Sequence, residues 1–229
     1  DLKRHFKPHQ KAPAHWFVYV GVDIGTGGKK NHPGAISFVG VAPDFKQGRV
    51  LKGWRGDGVE TTAGDIFKKY ESLKKEIIRE GLKEDQIIGK YYDHASRDFY
   101  LISLSNEEPF EPAEKGPIGE QTLNTLLKND MVHLNDDIEL RKLGNEFLSL
   151  EKSTPKEKAK DDFIDATRFA VSKIPWDFSG LLGTEIKEMD SEVEKEEQVT
   201  SEQQSRRDFV RGEKVAYNEF EEWNEQYGT

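Results

Sequence analysis

The sequence contains no cysteine, which excludes disulfides, thiolate zinc sites, iron–sulfur clusters and a cysteine nucleophile. Any metal must be held by oxygen or imidazole. There is no run of about 18 uninterrupted apolar residues, the length a membrane-spanning helix needs. The first fifteen residues, DLKRHFKPHQKAPAH, lack the apolar stretch of a secretory signal, so no membrane association is expected. Neither a G-x-x-x-x-G-K-[ST] motif nor an internal repeat occurs, so the chain cannot by itself be a P-loop motor. Positive charge is in the minority, 34 Lys and Arg against 43 Asp and Glu. The imbalance is local: Gly183 to Thr229 holds fourteen acidic and six basic residues. Residues 1–182 are therefore near neutral, and net charge does not exclude a nucleic-acid partner.

At 229 residues the chain has room for one ordinary domain with extensions. We expect a leading segment at 1–15, a domain at 16–178 and an acidic extension at 179–229. Residues 188–207 hold too few large apolar side chains to offset ordering entropy and read as a mobile or loosely helical stretch. Aromatics return beyond it, and Phe220 with Trp223 at i, i+3 suits one short docking helix.

Within 16–178 the hydrophobic period changes in a readable order. WFVYVGVDIG (16–25), AISFVGVA (35–42) and RVLKGWR (49–55) are short apolar runs separated by Gly and Pro breaks, which predicts an antiparallel three-strand meander. From Thr62 the period is helical, with Ile66, Tyr70, Leu73 and Ile77 on one face and Gly81 as the stop. QIIGKYYDH reads as a fourth strand and PFEPAEKGP (109–117) as a loop. IGEQTLNTLLKND is then a helix and MVHLN a short strand. DDIELRKLGNEFLSL is a helix with Leu140, Leu143, Phe147 and Leu150 inward and Asn135 or Asp136 as N-cap. DDFIDATRFAVSKI is helical up to Pro175. This order predicts an α/β layered fold on a mixed sheet.

The acids that interrupt apolar runs are the candidate chemistry. Asp23 ends VYVGVD, where a buried carboxylate is costly unless a cation or donors meet it; the alternative is a turn aspartate accepting bonds from the glycine-rich loop. Asp93 repeats the situation in KYYDHAS. In KDDFIDATRFAV, Asp161, Asp162 and Asp165 lie at helical spacing. Dipole complementation explains acids in a first turn, but Asp165 is deeper, between Ile164 and Ala166. A carboxylate-only set suits Mg2+ or Mn2+, and a pair of such ions about 3.5–4 Å apart stabilises both the attacking and the leaving oxygens of a phosphodiester displacement. Asp23, on a rigid strand end, is the expected bridge between two ions.

VYVGVDIGTGG, YYDHAS, AEKGPIGEQTLNTLLKNDMVHLN and DDFIDATRFAV together, in this order, resemble the nuclease domain of the large terminase subunit of tailed bacteriophages. That domain belongs to the RNase H-like superfamily, which also holds RuvC-type resolvases. The resemblance spans roughly residues 15–175. It implies an RNase H-like mixed sheet, three antiparallel strands and then parallel ones, flanked by helices. It also implies a metal-dependent endonuclease that cuts concatemeric double-stranded viral DNA. Asp23 and Asp93 then correspond to metal ligands and Asp162-x-x-Asp165 to the last acidic site, with either Asp161 or Asp162 assisting Asp165. Lys115 corresponds to a basic position near the cleaved strand. The resemblance further implies a separate ATPase domain, with residues 1–15 as the linker from it. Portal and small terminase subunit would be partners, and the cytoplasm of an infected bacterium the location.

Three other readings compete. VDIGTGG also resembles the first phosphate turn of sugar-kinase and actin-like ATPases, but no second such turn follows. A resolvase or transposase shares the chemistry. A non-catalytic docking module would use the tail. DNA contacts are expected from Lys29, Lys30, Lys115, Lys156, Lys158 and Lys160, and His32 and His94 read as turn residues or as groups that support the ligands rather than as ligands themselves.

Overall fold

The computed structural model describes residues 2–25, 33–56, 61–113, 116–149 and 161–181. One unit runs from Asp1 to Asp177, and a second begins at Phe178. In the first, seven strands form one mixed sheet: β1 (Phe6–Lys7), β2 (Phe17–Asp23), β3 (Ala35–Val41), β4 (Gly48–Arg55), β5 (Ile87–Asp93), β6 (Glu111–Ala113) and β7 (Val132–Asn135). Their order is β1-β7-β4-β3-β2-β5-β6. Only β3 runs against its neighbours; every other pairing is parallel. The expected meander is β2-β3-β4, and with helices flanking the sheet this is the RNase H-like arrangement.

The five described α-helices are α1 (Ala63–Arg79), α2 (Arg97–Ser105), α3 (Pro117–Lys128), α4 (Ile138–Ser149) and α5 (Asp162–Val171). None is long and apolar enough to cross a membrane. α1 starts in a capping box between Thr62 and Asp65. It ends where Gly81, at φ +111°, lets Gly81 N–H donate to Ile78 O and Leu82 N–H to Ile77 O, the double bond of a Schellman stop. Ile66, Tyr70, Leu73 and Ile77 are buried as the spacing predicts. They pack with Val18, Val20, Val22, Ile36 and Phe38 and with Phe99 of α2, so this face of β2 carries its even-numbered residues.

The structure departs from expectation at four places. Asn135 and Asp136 do not cap α4. Asp137 does, its Oδ1 accepting from Leu140 N–H at 2.7 Å, because Asn135 is fully buried and committed elsewhere. Its amide accepts from Gln10 N–H and donates to Gln10 O and Leu51 O. Residues 1–15, expected as a linker, thus meet the sheet through β1, which pairs with β7, and through Asn135. On α4, Glu146 rather than Phe147 is buried. Finally, α2 and β6 occupy a stretch with no predicted element. Phe99, Tyr100, Leu101 and Ile102 form a continuous apolar run without helical period, and Pro112 sits on an edge strand, where a missing N–H is tolerated. Leu150, the stretch 188–207 and the pair Phe220 and Trp223 lie outside the described residues.

Candidate functional site

α5 lies on the other face of the sheet because three adjacent strands present small side chains in register. Gly21 pairs with Ser37, and Ser37 with Gly53. A Cβ at Gly21 would collide with the Ala166 carbonyl and the Ala170 amide, and one at Gly53 with the Phe163 ring. Over the middle strand, Thr167 Oγ1 donates to Ser37 Oγ at 3.0 Å. The helix therefore crosses from β4 to β2 with backbone almost touching backbone, anchored by the fully buried Phe163 and Phe169, each worth about 1.5–3 kcal/mol of burial.

Two residues further along each strand, side chains return to the same face, and the next row is Asp23, Ala35 and Arg55. β5 runs parallel to β2 with Tyr92 beside Val22, so Asp93 ends its strand next to Asp23. The first turn of α5 brings Asp162 and Asp165 to this same edge. Asp23 is 8% exposed and Asp93 4%; the side chain of Asp162 is 2% exposed and that of Asp165 26%. One oxygen of each strand-end acid is used in a turn: Gly25 N–H donates to Asp23 Oδ1 at 3.1 Å and Ala95 N–H to Asp93 Oδ1 at 3.0 Å. The turn reading of Asp23 is therefore correct for one oxygen. Burial first, then the charges of Asp165, Asp162 and Asp93, push its carboxyl well above the usual range, against the pull of the Gly25 amide.

Sequence reasoning missed two residues that organise this edge. Arg55 Nη2 donates to Asp162 Oδ2 at 3.3 Å, and its Nε pairs with Glu146 Oε1 at 2.6 Å. Glu146 Oε2 accepts the N–H groups of Phe163 and Ile164 at 2.9 and 3.1 Å. α5 thus receives its N-terminal cap from α4, since Asp161, in the N-cap position, makes no side-chain cap bond. Burial pushes Glu146 up to about 7 despite Arg55 and the two amides. A signal existed: Glu146 lies three residues after the inward Leu143, a charged group on an apolar stripe. Asp165 pairs with Arg168 at 3.2 Å. His94 is exposed, its Nδ1 3.8 Å from Asp93 Oδ1.

Lys29, Lys30, His32, Lys115, Lys156, Lys158 and Lys160 lie outside the described residues. Their described flanks, Gly25, Ala113 and Asp161, all belong to the edge that carries the aspartates. The all-carboxylate donor set there fits a hard divalent cation, and the mutual repulsion felt by Asp23 is what such a cation would relieve.

Among the described residues, the group whose ligand atoms all lie within 4.8 Å of one another is a different one, His5, Asp130 and His133. It sits at the start of β7, and β7 is parallel to β4, so it is at the opposite edge of the sheet from the aspartates. Burial holds both imidazoles below their ordinary pKa.

No family model and no curated protein matches the sequence. Solved structures do match in fold. A large terminase from a thermophilic bacteriophage aligns with TM-score 0.59 at 22% identity, over 77% of this chain and 44% of that one. The P22 large terminase nuclease domain aligns with TM-score 0.52 at 17% identity, over 74% of this chain and 87% of that domain. A human cytomegalovirus terminase nuclease domain, Mn soaked and inhibitor bound, aligns with TM-score 0.50 at 11% identity, over 68% and 82%. The match thus spans less than half the length of the thermophilic phage protein. At these identities the shared property is the fold.

Proposed function

We propose that this chain is a metal-dependent endonuclease domain of the terminase type, hydrolysing phosphodiester bonds of double-stranded DNA. One observation carries the reading: aspartates from two strand ends and one helix meet at a single sheet edge, where burial first and then the charges of the other three raise the pKa of Asp23. The fold shared with terminase nuclease domains supports it. Asp23, Asp93 and Asp165 would hold Mg2+ or Mn2+, with Asp162 rather than Asp161 as the assisting acid, because the charge of Asp162 acts on Asp23. Two such ions, when bound, supply charge stabilisation to the attacking and leaving oxygens of the displaced phosphate.

The protein's own residues have separable tasks in this reading. The turn amides of Gly25 and Ala95 fix one oxygen of Asp23 and of Asp93. Arg55 orients Asp162. Asp165, the most open of the four, faces the substrate side. Lys29, Lys30, Lys115, Lys158 and Lys160 would meet phosphates, giving steep salt dependence with little base preference. By the same reading the substrate is concatemeric viral DNA, cut at the start and end of packaging in an infected bacterium. The partners are then an ATPase domain, a portal and a small terminase subunit.

The test is supercoiled plasmid with Mn2+, Mg2+, Ca2+ or EDTA, beside folded Asp23→Asn and Asp165→Ala variants. Cutting that needs Mn2+ or Mg2+ and is lost in both variants is the expected result. No cutting under any condition would replace the reading with a docking module, and cutting that survives both changes would assign the activity to a contaminating nuclease.

A further inference from the structure

The opposite edge of the sheet holds a donor set of different chemistry. Phe6 pairs with Leu134 in parallel register, so the preceding residue His5 stands beside His133, although 128 positions separate them in the chain. Asp130 occupies the tight turn from α3 into β7 at φ 53° and points a carboxylate oxygen to 3.4 Å from His5 Nδ1. Nδ1 of His5 and Nδ1 of His133 are both buried without a hydrogen-bond partner. Two buried imidazole nitrogens that make no hydrogen bond, one of them met only by the Asp130 carboxylate at 3.4 Å, form the donor set of a cation site.

We propose that His5, Asp130 and His133 bind a borderline transition-metal cation of the Zn2+ class, with water completing the coordination, and that the ion clamps β1 onto the sheet. Two imidazoles and one carboxylate suit Zn2+, Co2+, Ni2+ or Cu2+ and disfavour Mg2+. Ligand bonds of about 2.0–2.2 Å require the three atoms to draw together from their present spacing, and Asp130, half exposed, has room to close that distance. Arg4 is the competitor. Its Nε donates to His5 Nε2 at 3.3 Å and pairs with Asp130 Oδ1 at 3.3 Å, and its half-exposed side chain must swing away for the metal to enter. The site is independent of the acidic edge: His133 sits beside Arg49 near the start of β4, whereas Arg55 ends that strand among the aspartates, about 20 Å away at strand rise.

The experiment uses the untagged full chain carrying Asp23→Asn, stripped with EDTA and held in excess Mg2+, so that the carboxylate edge cannot supply the signal. Zn2+ is titrated calorimetrically and by thermal shift, and Co2+ by its visible absorption, which reports imidazole ligation. The expected result is one equivalent bound and a raised Tm. Affinity should fall at least about tenfold in His5→Gln and in His133→Gln through loss of a ligand, fall less in the exposed Asp130→Asn, and rise in Arg4→Gln. Circular dichroism in EDTA establishes that each variant is folded. No zinc-dependent shift, or a one-equivalent shift that survives both histidine changes, would overturn the proposal.

Discussion

The two edges of the sheet handle titratable groups in opposite ways. At the edge where β2 and β5 end, Asp23, Asp93, Asp162 and Asp165 gather charges of one sign, and Asp23, through its burial first and those charges second, holds its proton well above the ordinary carboxylate range. At the edge where β7 begins, His5 and His133 are surrounded by Arg4, Lys7 and Arg49, and they are kept below the ordinary imidazole range, burial being the largest cause. The first edge is a hard, anionic site that only a cation or a proton relieves. The second is a neutral, borderline site with a single carboxylate. One small domain therefore presents two donor sets that different ions should tell apart.

The largest expected effect separates the edges by activity. Asp23→Asn should lower plasmid cleavage in Mn2+ by at least about 10³-fold, some 4 kcal/mol, while His133→Gln leaves the rate within about twofold; gel quantification of nicked and linear product measures both. Next is the support beneath the acidic edge. Glu146→Ala strands Arg55 and the amides of Phe163 and Ile164 in a buried setting, and should cost about 3–5 kcal/mol by urea denaturation.

A smaller effect has the opposite sign. Because the folded-state pKa of Asp23 is raised, its ionised form costs stability that the protein lacks above that value and regains as pH falls back toward the ordinary carboxylate range. In EDTA at pH 7–8, Asp23→Asn should therefore be more stable than the native chain by about 1–2 kcal/mol. At about 2–4 °C of Tm per kcal/mol this is readable by calorimetry. The gap should close toward pH 4 and shrink when Mn2+ is added. Smallest of all, without zinc, Arg4→Gln should shift stability by no more than about 0.5 kcal/mol, since Arg4 and Asp130 form a half-exposed pair.

Most of the sheet was legible because its longer strands, and α1, are each written in a local period. β2, β3 and β4 are apolar runs cut by Gly and Pro, and α1 repeats at helical spacing between a capping threonine and Gly81. α2 escaped because its apolar residues are consecutive, leaving Leu101 and Leu104 exposed while only Phe99 and Ser103 are buried. β1 and β6 escaped because strands of two and three residues take their identity from the neighbour they pair with. Asp23, Asp93 and Asp165 stood out as acids interrupting apolar sequence, and the structure brings them to one edge together with Asp162.

The order of residues settles an inventory: which periodic elements form, which acids sit at their ends, and that no thiolate is present. The pairings are settled in three dimensions. Local period is set by neighbours within a turn or two, whereas Arg55 meeting Asp162 and Glu146, or His5 meeting His133, depends on the register of strands far apart in the chain. The row Gly21, Ser37 and Gly53 is the plainest case: three small residues mean nothing separately, and aligned across three strands they let α5 lie close enough to carry its acids to Asp23.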